Sequence, residues 1–249
     1  MSPQKPPVHW ISHRGYHSQF TENSKGAFDE ACSRGFTHLE TDLRLSRDGV
    51  LILCHDPNLA RVGGPSRLLS TMSAEEIGAQ TLPGGDKVLR FEEFYRCYGE
   101  RCQVTLDVKP EGGLETTRVF LAWVEAQGAE QWVRDKVTFL FWRAAHEALM
   151  AERFPRARFY ARREECWRAG AALLLGLPQF GGIKARRIYA MPPRFLGRRL
   201  YTTSILAAVH RFGGRVVAFL PESSEDVQAA IAAGVDEILT NGLIEAPQL

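Results

Sequence analysis

Short runs rich in β-branched and aromatic residues alternate along this chain with longer stretches whose apolar residues recur every three or four positions. The runs Val8–His13, Thr37–Asp42, Cys102–Lys109, Lys136–Phe141, Ala157–Arg162, Arg186–Met191, Arg215–Leu220 and Asp236–Thr240 read as strands. Helical patterns lie between most of them. Asn23–Arg34 opens with the capping residues Thr21, Asn23 and Ser24 and puts Ala27, Phe28 and Ala31 on one face. Thr116–Ala126 carries Val119, Phe120, Trp123 and Val124 at helical spacing, and Ala144–Arg153, Ser204–Phe212 and Ser223–Ala233 are similar. Eight strands with intervening helices and no low-complexity linker predict an α/β fold, a single (β/α)8 TIM barrel with residues 1–249 as one domain.

One segment departs from the alternation. Val50–His55 (VLILCH) is strand-like, but only seven residues separate it from Asp42. A parallel crossover needs about a dozen or more. Asp48-Gly49 is a hairpin turn signal. Thr41–Arg47 and Val50–His55 therefore read as two arms of a β-hairpin after the second strand. Counting back from the turn pairs His55 with Asp42 to within about two positions, which returns the histidine to the mouth of that strand.

Composition narrows the class. The chain has 249 residues, of which 45% are hydrophobic and 24% charged, with a net charge of +2, values that exclude a disordered chain. The longest apolar stretch, Ala169–Leu177, is far too short to cross a bilayer. Met1–Pro7 is polar and proline-rich and has no apolar signal core. The five cysteines are odd in number and scattered, and Cys97 and Cys102 have no second pair to complete a zinc site. They read as idle thiols in a reducing compartment, so a cytoplasmic location is expected. Charge is uneven: Ala151–Arg199 holds eleven arginines and one lysine against three glutamates, which leaves the rest of the chain net negative. That block is either a solvated surface or an attraction for anionic substrates or a phospholipid surface. No zinc-finger, helix-turn-helix or aromatic RNA-binding signature accompanies it, and no nucleic-acid partner is expected.

Four signals carry chemistry. His13-Arg14-Gly15 closes the first strand, at the carboxyl face where barrel enzymes place catalytic groups. Glu40-Thr41-Asp42 puts two carboxylates on one face of the second strand. Two such acids repel unless a cation lies between them, and oxygen ligands suit magnesium, calcium or manganese. The alternative is a solvated strand end with salt bridges. His55-Asp56-Pro57 returns to the same rim, and two histidines there can act as base and acid near neutral pH. Asp107-Val108-Lys109 ends the third strand: the acid can complete a carboxylate site and the lysine can meet a phosphate oxygen, or the two form an ordinary salt bridge. Other templates fail. There is no G-x-S-x-G elbow, no P-loop and no G-x-G-x-x-G loop after a strand, and His146-Glu147 lacks the second histidine of a zincin, with Met150 at that position.

His13 to Arg61 resembles the glycerophosphodiester phosphodiesterase family, with its HRG strand end, a T-E-N-S loop (Thr21–Ser24), an E-x-D pair, a D-G turn and an H-D-P segment in order. Leu106–Pro110 resembles that family's E-x-K strand and Gly234–Asn241 its closing G-V-D-G-I-x-T strand. The likeness is dense over Ile11–Arg61, thinner to Pro110 and weak until Gly234. It implies a metal-dependent TIM-barrel phosphodiesterase. Glu40, Asp42 and Asp107 would hold one divalent cation, Mg2+ or Ca2+, with Mn2+ as a further option. His13 and His55 would be the general base and acid, in an order the sequence leaves open. Arg14 and Lys109 would hold the phosphate, and Glu22 would serve the metal or substrate hydroxyls.

The sequence departs from the family pattern at four places. Thr21 replaces a proline, Asp107 replaces a glutamate, Leu140-Phe141 replaces Ser-Phe, and Ala218-Phe219-Leu220-Pro221 stands where the family has W-T-V-N. The catalytic set is intact while the substrate side differs. The expected reaction is hydrolysis of a small phosphodiester, by default a glycerophosphodiester to glycerol phosphate and an alcohol. The alternatives are phospholipase D-like cleavage of a lysophospholipid or sphingolipid, with lipid contact through residues 151–199, and a specialised sugar or nucleoside phosphodiester. A non-catalytic barrel is disfavoured because it has no chemical need for both histidines and the E-x-D pair. Oligomeric state is left open.

Overall fold

The computed structural model describes residues 8–242. The polar stretch Met1–Pro7 lies outside them. In chain order the elements are β1 (His9–His13), α1 (Lys25–Ser33), β2 (His38–Leu45), β3 (Leu51–Leu53), α2 (Ala74–Gly78), α3 (Phe91–Tyr98), β4 (Gln103–Val108), α4 (Gly113–Gln127), α5 (Glu130–Lys136), β5 (Val137–Phe141), α6 (Ala144–Arg153), β6 (Arg158–Tyr160), α7 (Arg163–Leu174), β7 (Arg187–Met191), β8 (Arg194–Phe195), β9 (Arg198–Arg199), α8 (Thr203–Arg211), β10 (Arg215–Phe219), α9 (Ser224–Ala233) and β11 (Glu237–Thr240). The hydrogen-bonded strand order is β1-β11-β10-β7-β6-β5-β4-β2-β3, and β1 also pairs with β2, which closes the sheet. The eight strands other than β3, β8 and β9 are those expected from the sequence, and the fold is a (β/α)8 barrel.

Two compact units divide the contacts. One takes in residues up to Ile11 together with Arg158 onward; the other is Ser12–Ala157. In the first unit, β10 lies between β7 and β11 in parallel register, with Ala218 opposite Met191 and Ile238. Phe219, in the segment that departs from the family's W-T-V-N, ends β10 with 41% of its surface exposed. The hairpin of β8 and β9 is an addition the hydrophobic pattern did not announce, because two-residue strands carry no detectable period.

The second unit carries the chemistry. Its strands β2, β4 and β5 are parallel neighbours, with Glu40 opposite Thr105 and Asp42 opposite Asp107. β3 folds back antiparallel on the end of β2, pairing Leu43 with Leu53 and Leu45 with Leu51. Cys54 then donates its N–H to the Asp42 carbonyl at 3.1 Å, so His55 arrives one position beyond, inside the window the turn predicts. The expected strand ended at Asp42; β2 instead runs on to Leu45, because its last residues are also the hairpin's first arm.

α1 differs in one useful respect from its expected start. Ser24 is the N-cap, its hydroxyl accepting the Ala27 N–H at 3.2 Å. Thr21 and Asn23 cap nothing. Thr21 is tied to Asp86 and to the Pro83 carbonyl, and Asn23 has φ +58° and turns its amide inward. The helices α2, α3, α5 and α7 were not foreseen. α2, α3 and α5 are only five, eight and seven residues long, shorter than the span over which a helical period stands out, and the buried face of α7 is made largely of small residues, Ala169, Gly170 and Ala172.

Candidate active site

The site is built where β1, β2 and β4 end. His13 is the last residue of β1, and only 8% of it is exposed. The chain then reverses through Arg14 (φ +58°) and Gly15 (φ +81°). A Cβ on Gly15 would lie 2.6 Å from the Ala27 backbone, so only glycine lets α1 approach the loop this closely. The turn aims the Arg14 N–H at both the Glu40 carbonyl (3.0 Å) and Glu40 Oε2 (3.1 Å). His13 Nε2 lies 3.9 Å from that same carboxylate oxygen.

Glu40, Asp42 and Asp107 converge as the alternation and the parallel register require. Each offers an oxygen within 4.8 Å of the others, and all three are buried. Their surroundings set their charge. Burial pushes the Asp42 carboxyl up, but the Lys109 ammonium and Arg14 guanidinium outweigh it and hold the group down at about 2. Glu40 goes the other way: burial, then the Asp42 charge, push it well above the usual carboxylate range. Asp107 is likewise raised, by burial and by Asp42, against the pull of Lys109. Lys109 lies between Asp107 Oδ2 (2.6 Å) and Asp42 Oδ1 (2.7 Å). Those neighbours raise its ammonium despite burial. Three buried carboxylates thus face two local cations, and among the described residues Glu40 lacks a direct side-chain counter-ion within the cluster.

That charge deficit tests the fit of a divalent cation, and the residues pass. The donors are all oxygen, which suits a hard cation. Asp42 Oδ1 lies 2.7 Å from the Lys109 ammonium while Oδ2 accepts from Asn23 at 2.8 Å, so Oδ1 keeps a second acceptor direction for a cation.

His55 is fixed from two sides. Its Nδ1 lies 2.7 Å from Asp56 Oδ1. Burial raises the Asp56 carboxyl, but bonds from His55 and Arg61 more than offset this and keep it ionised. An ionised acceptor assigns the proton to Nδ1 and leaves Nε2 as the reactive nitrogen. From below, the buried Arg44 guanidinium donates through Nε (3.0 Å) and Nη2 (2.6 Å) to the His55 carbonyl, and through Nη1 to Glu111 (3.0 Å).

Arg61 joins the two sides. It donates to Asp56 Oδ2 (2.5 Å) and in a two-point clamp to Glu22 (2.6 and 2.9 Å), which also accepts from Arg14 (3.1 Å). Burial raises Glu22, and the Arg61 bond with the Arg14 charge brings it below its ordinary value. Glu22, Asn23 and His55 line one small cavity.

All eight residues singled out from the sequence therefore lie in this one unit. Six of them form a continuous polar cluster with Asn23, His13 lies against that cluster at Glu40, and His55 reaches it through Asp56 and Arg61. Several participants were missed. Asn23 Nδ2 donates to Asp42 Oδ2 (2.8 Å) while Thr41 Oγ1 donates to Asn23 Oδ1 (2.7 Å). The T-E-N-S loop carried that signal, read there as capping. Asp56 and Arg61 lie inside the quoted H-D-P segment and just beyond it. Arg44 and Trp142 had no local signal.

Known proteins share this arrangement of strands. The model of the glycerophosphoryl diester phosphodiesterase family matches residues 13–244. The chain belongs to that family. A probable glycerophosphodiester phosphodiesterase of Mycobacterium tuberculosis is 32% identical over 108 residues, which are 43% of this chain and 40% of that relative. The likeness to this curated relative thus spans well under half of its length. Among solved structures, the glycerophosphoryl diester phosphodiesterase domain of an uncharacterized M. tuberculosis protein superposes with a TM-score of 0.78 at 16% identity, covering 95% of this chain and 96% of that one. An Oleispira antarctica phosphodiesterase in complex with the product sn-glycerol-3-phosphate gives a TM-score of 0.71 at 19% identity, covering 96% and 94%. At these identities the structural likeness establishes the fold. Among the described residues, no helix is long and apolar enough to cross a membrane.

Proposed function

We propose that this member of the family hydrolyses a glycerophosphodiester to glycerol phosphate and an alcohol, with a divalent cation held by Glu40, Asp42 and Asp107. The observation that carries the reading is the buried carboxylate triad, in the same unit as a histidine whose Nδ1 meets Asp56. The family match and the product named for the Oleispira relative support the substrate class.

The cation would supply positive charge to the phosphate oxygens as attack proceeds. The remaining roles belong to this chain. Arg14 and Lys109 hold fixed positive charge at the cluster, where a phosphate oxygen gains most from it. His55, with Nδ1–H on Asp56, has Nε2 free to take a proton or, once protonated, to give one to the leaving alkoxide. His13, beside Glu40, is the complementary acid or base. Glu22 and Asn23 hold Arg14 and Asp42 in place. On this reading, residues 1–249 act as one catalytic domain, which a single cooperative transition in scanning calorimetry checks.

The test is a turnover panel. Metal-stripped protein is offered glycerophosphodiesters, lysophospholipids, sugar phosphodiesters and an aryl phosphodiester, each with Mg2+, Ca2+, Mn2+ or EDTA. Release of glycerol phosphate from the first class, lost in EDTA, is expected. Turnover undiminished by EDTA would refute the metal assignment. Cleavage confined to lysophospholipids would replace the substrate assignment.

A further inference from the structure

Trp142 follows β5 directly and is exposed over 41% of its surface, yet its indole Nε1–H donates to Asp107 Oδ1 at 2.7 Å. The other oxygen of that carboxylate is held by Lys109 at 2.6 Å. The Lys109 ammonium in turn sits 5.8 Å from the centre of the Trp142 ring. Two donors on opposite oxygens fix the plane of the Asp107 carboxylate. They use two of its roughly four acceptor directions and leave the rest for a ligand. Asp107 is one methylene shorter than the glutamate the family resemblance leads one to expect at this point, so its reach depends more on how it is aimed.

We propose that Trp142 is a positioning residue for the metal site, its indole N–H aiming Asp107 at the divalent cation. This rests on the reading of Glu40, Asp42 and Asp107 as metal ligands. An indole N–H suits this role because it donates and never accepts, so it cannot itself capture the ion. Groups that orient a ligand from behind typically account for about 10–100-fold in metal affinity or activity. The tryptophan has little chain between it and the sheet, since it follows the last residue of β5 directly.

The experiment titrates Mn2+ into metal-stripped full-length protein by isothermal titration calorimetry. Trp142→Phe keeps a ring and removes the N–H. Replacing Trp142 with 3-benzothienylalanine keeps the ring shape and exchanges only the N–H for sulfur. Both are expected to weaken Mn2+ binding about 10–100-fold, with melting temperatures close to that of the unaltered protein. The kcat lost at low Mn2+ should return as Mn2+ is raised to saturation. Trp167→Phe, at another exposed tryptophan, should bind Mn2+ normally. Affinity within twofold of the unaltered protein in both position-142 replacements would overturn the proposal. So would a fall in melting temperature with affinity unchanged, which is the mark of a purely structural contact. If the unaltered protein binds no Mn2+, or Asp42→Asn binds it equally well, the ligand assignment itself fails, and that result is separate from any effect at Trp142.

Discussion

Two buried regions of the Ser12–Ala157 unit solve opposite problems. One is an aromatic cluster. Phe91, fully buried on α3, has Trp123 at 4.7 Å, Phe120 at 5.5 Å, Trp132 at 6.2 Å and Phe94 at 6.4 Å between ring centres, and Phe28 meets Phe94 edge-on at 4.8 Å. Its polar groups are few: Trp132 donates its indole N–H to the Gly99 carbonyl, and the buried Trp123 Nε1 has no hydrogen-bond partner among the described residues. Such contacts add stability through area and ring geometry. The other region is the acidic cluster at the strand ends, as deeply buried and composed of charge. Its burial opposes ionisation, and at Glu40 the charges of Arg14 and Lys109 offset that cost only in part. The aromatic region is there because it folds the chain. The acidic one is tolerated because the rest of the unit holds it.

The comparison makes predictions that separate the two regions. The largest effect is expected at Asp42. Asp42→Asn should lower turnover of the cleaved phosphodiester by about a thousandfold or more, read in steady-state kinetics, while circular dichroism keeps the native helix signal. Next is His55→Asn, with an expected loss of about 10²–10⁴ in kcat. Its Mn2+ affinity should be unchanged, since among the described residues the His55 side chain is linked to the cluster through Asp56 and Arg61.

Phe91→Ala should do the reverse. Removing a fully buried phenylalanine costs about 3–5 kcal/mol, so urea unfolding should shift strongly while the folded fraction keeps its kcat. Glu40→Gln sharpens the contrast further. It removes a carboxylate crowded by Asp42, so without metal the variant should melt no lower than the parent and hold Mn2+ much more weakly. A large loss of stability in Glu40→Gln would break the comparison. The smallest effect is expected at Arg61, which is half exposed. Arg61→Met should cost under about 1 kcal/mol of stability and lower kcat several-fold by freeing Asp56 and Glu22. An unchanged kcat would show that this bridge does not order His55.

The acidic cluster was more legible in the sequence than the aromatic one. Glu40 and Asp42 share a face because strands alternate, and Asp48-Gly49 turns the chain back so that His55 returns beside Asp42. These are local rules acting over a few residues. The aromatic cluster joins α1, α3, α4, α5 and β5, and nothing local to Phe91 or Trp132 announces that they meet. α3 does carry Phe91, Phe94 and Tyr98 at helical spacing, but over eight residues so short a run does not stand out from its surroundings. Asn23 shows a local rule giving way: a residue with good capping chemistry beside a helix start left the cap to Ser24 once Asp42 and Thr41 offered its amide two buried partners.

The sequence by itself determined the barrel, the hairpin that interrupts it and the strand ends that carry His13, Glu40, Asp42 and Asp107, because each follows from periodicity or turn chemistry over a short span. Only the tertiary structure decided which neighbours those groups have. Arg44 reaches the His55 carbonyl from eleven residues away and Trp142 reaches Asp107 from thirty-five. The same packing decides that Lys109 lies between two carboxylates and that, among the described residues, no ammonium or guanidinium pairs directly with Glu40. A side chain's charge depends on what surrounds it in space, and separation along the chain carries no record of that.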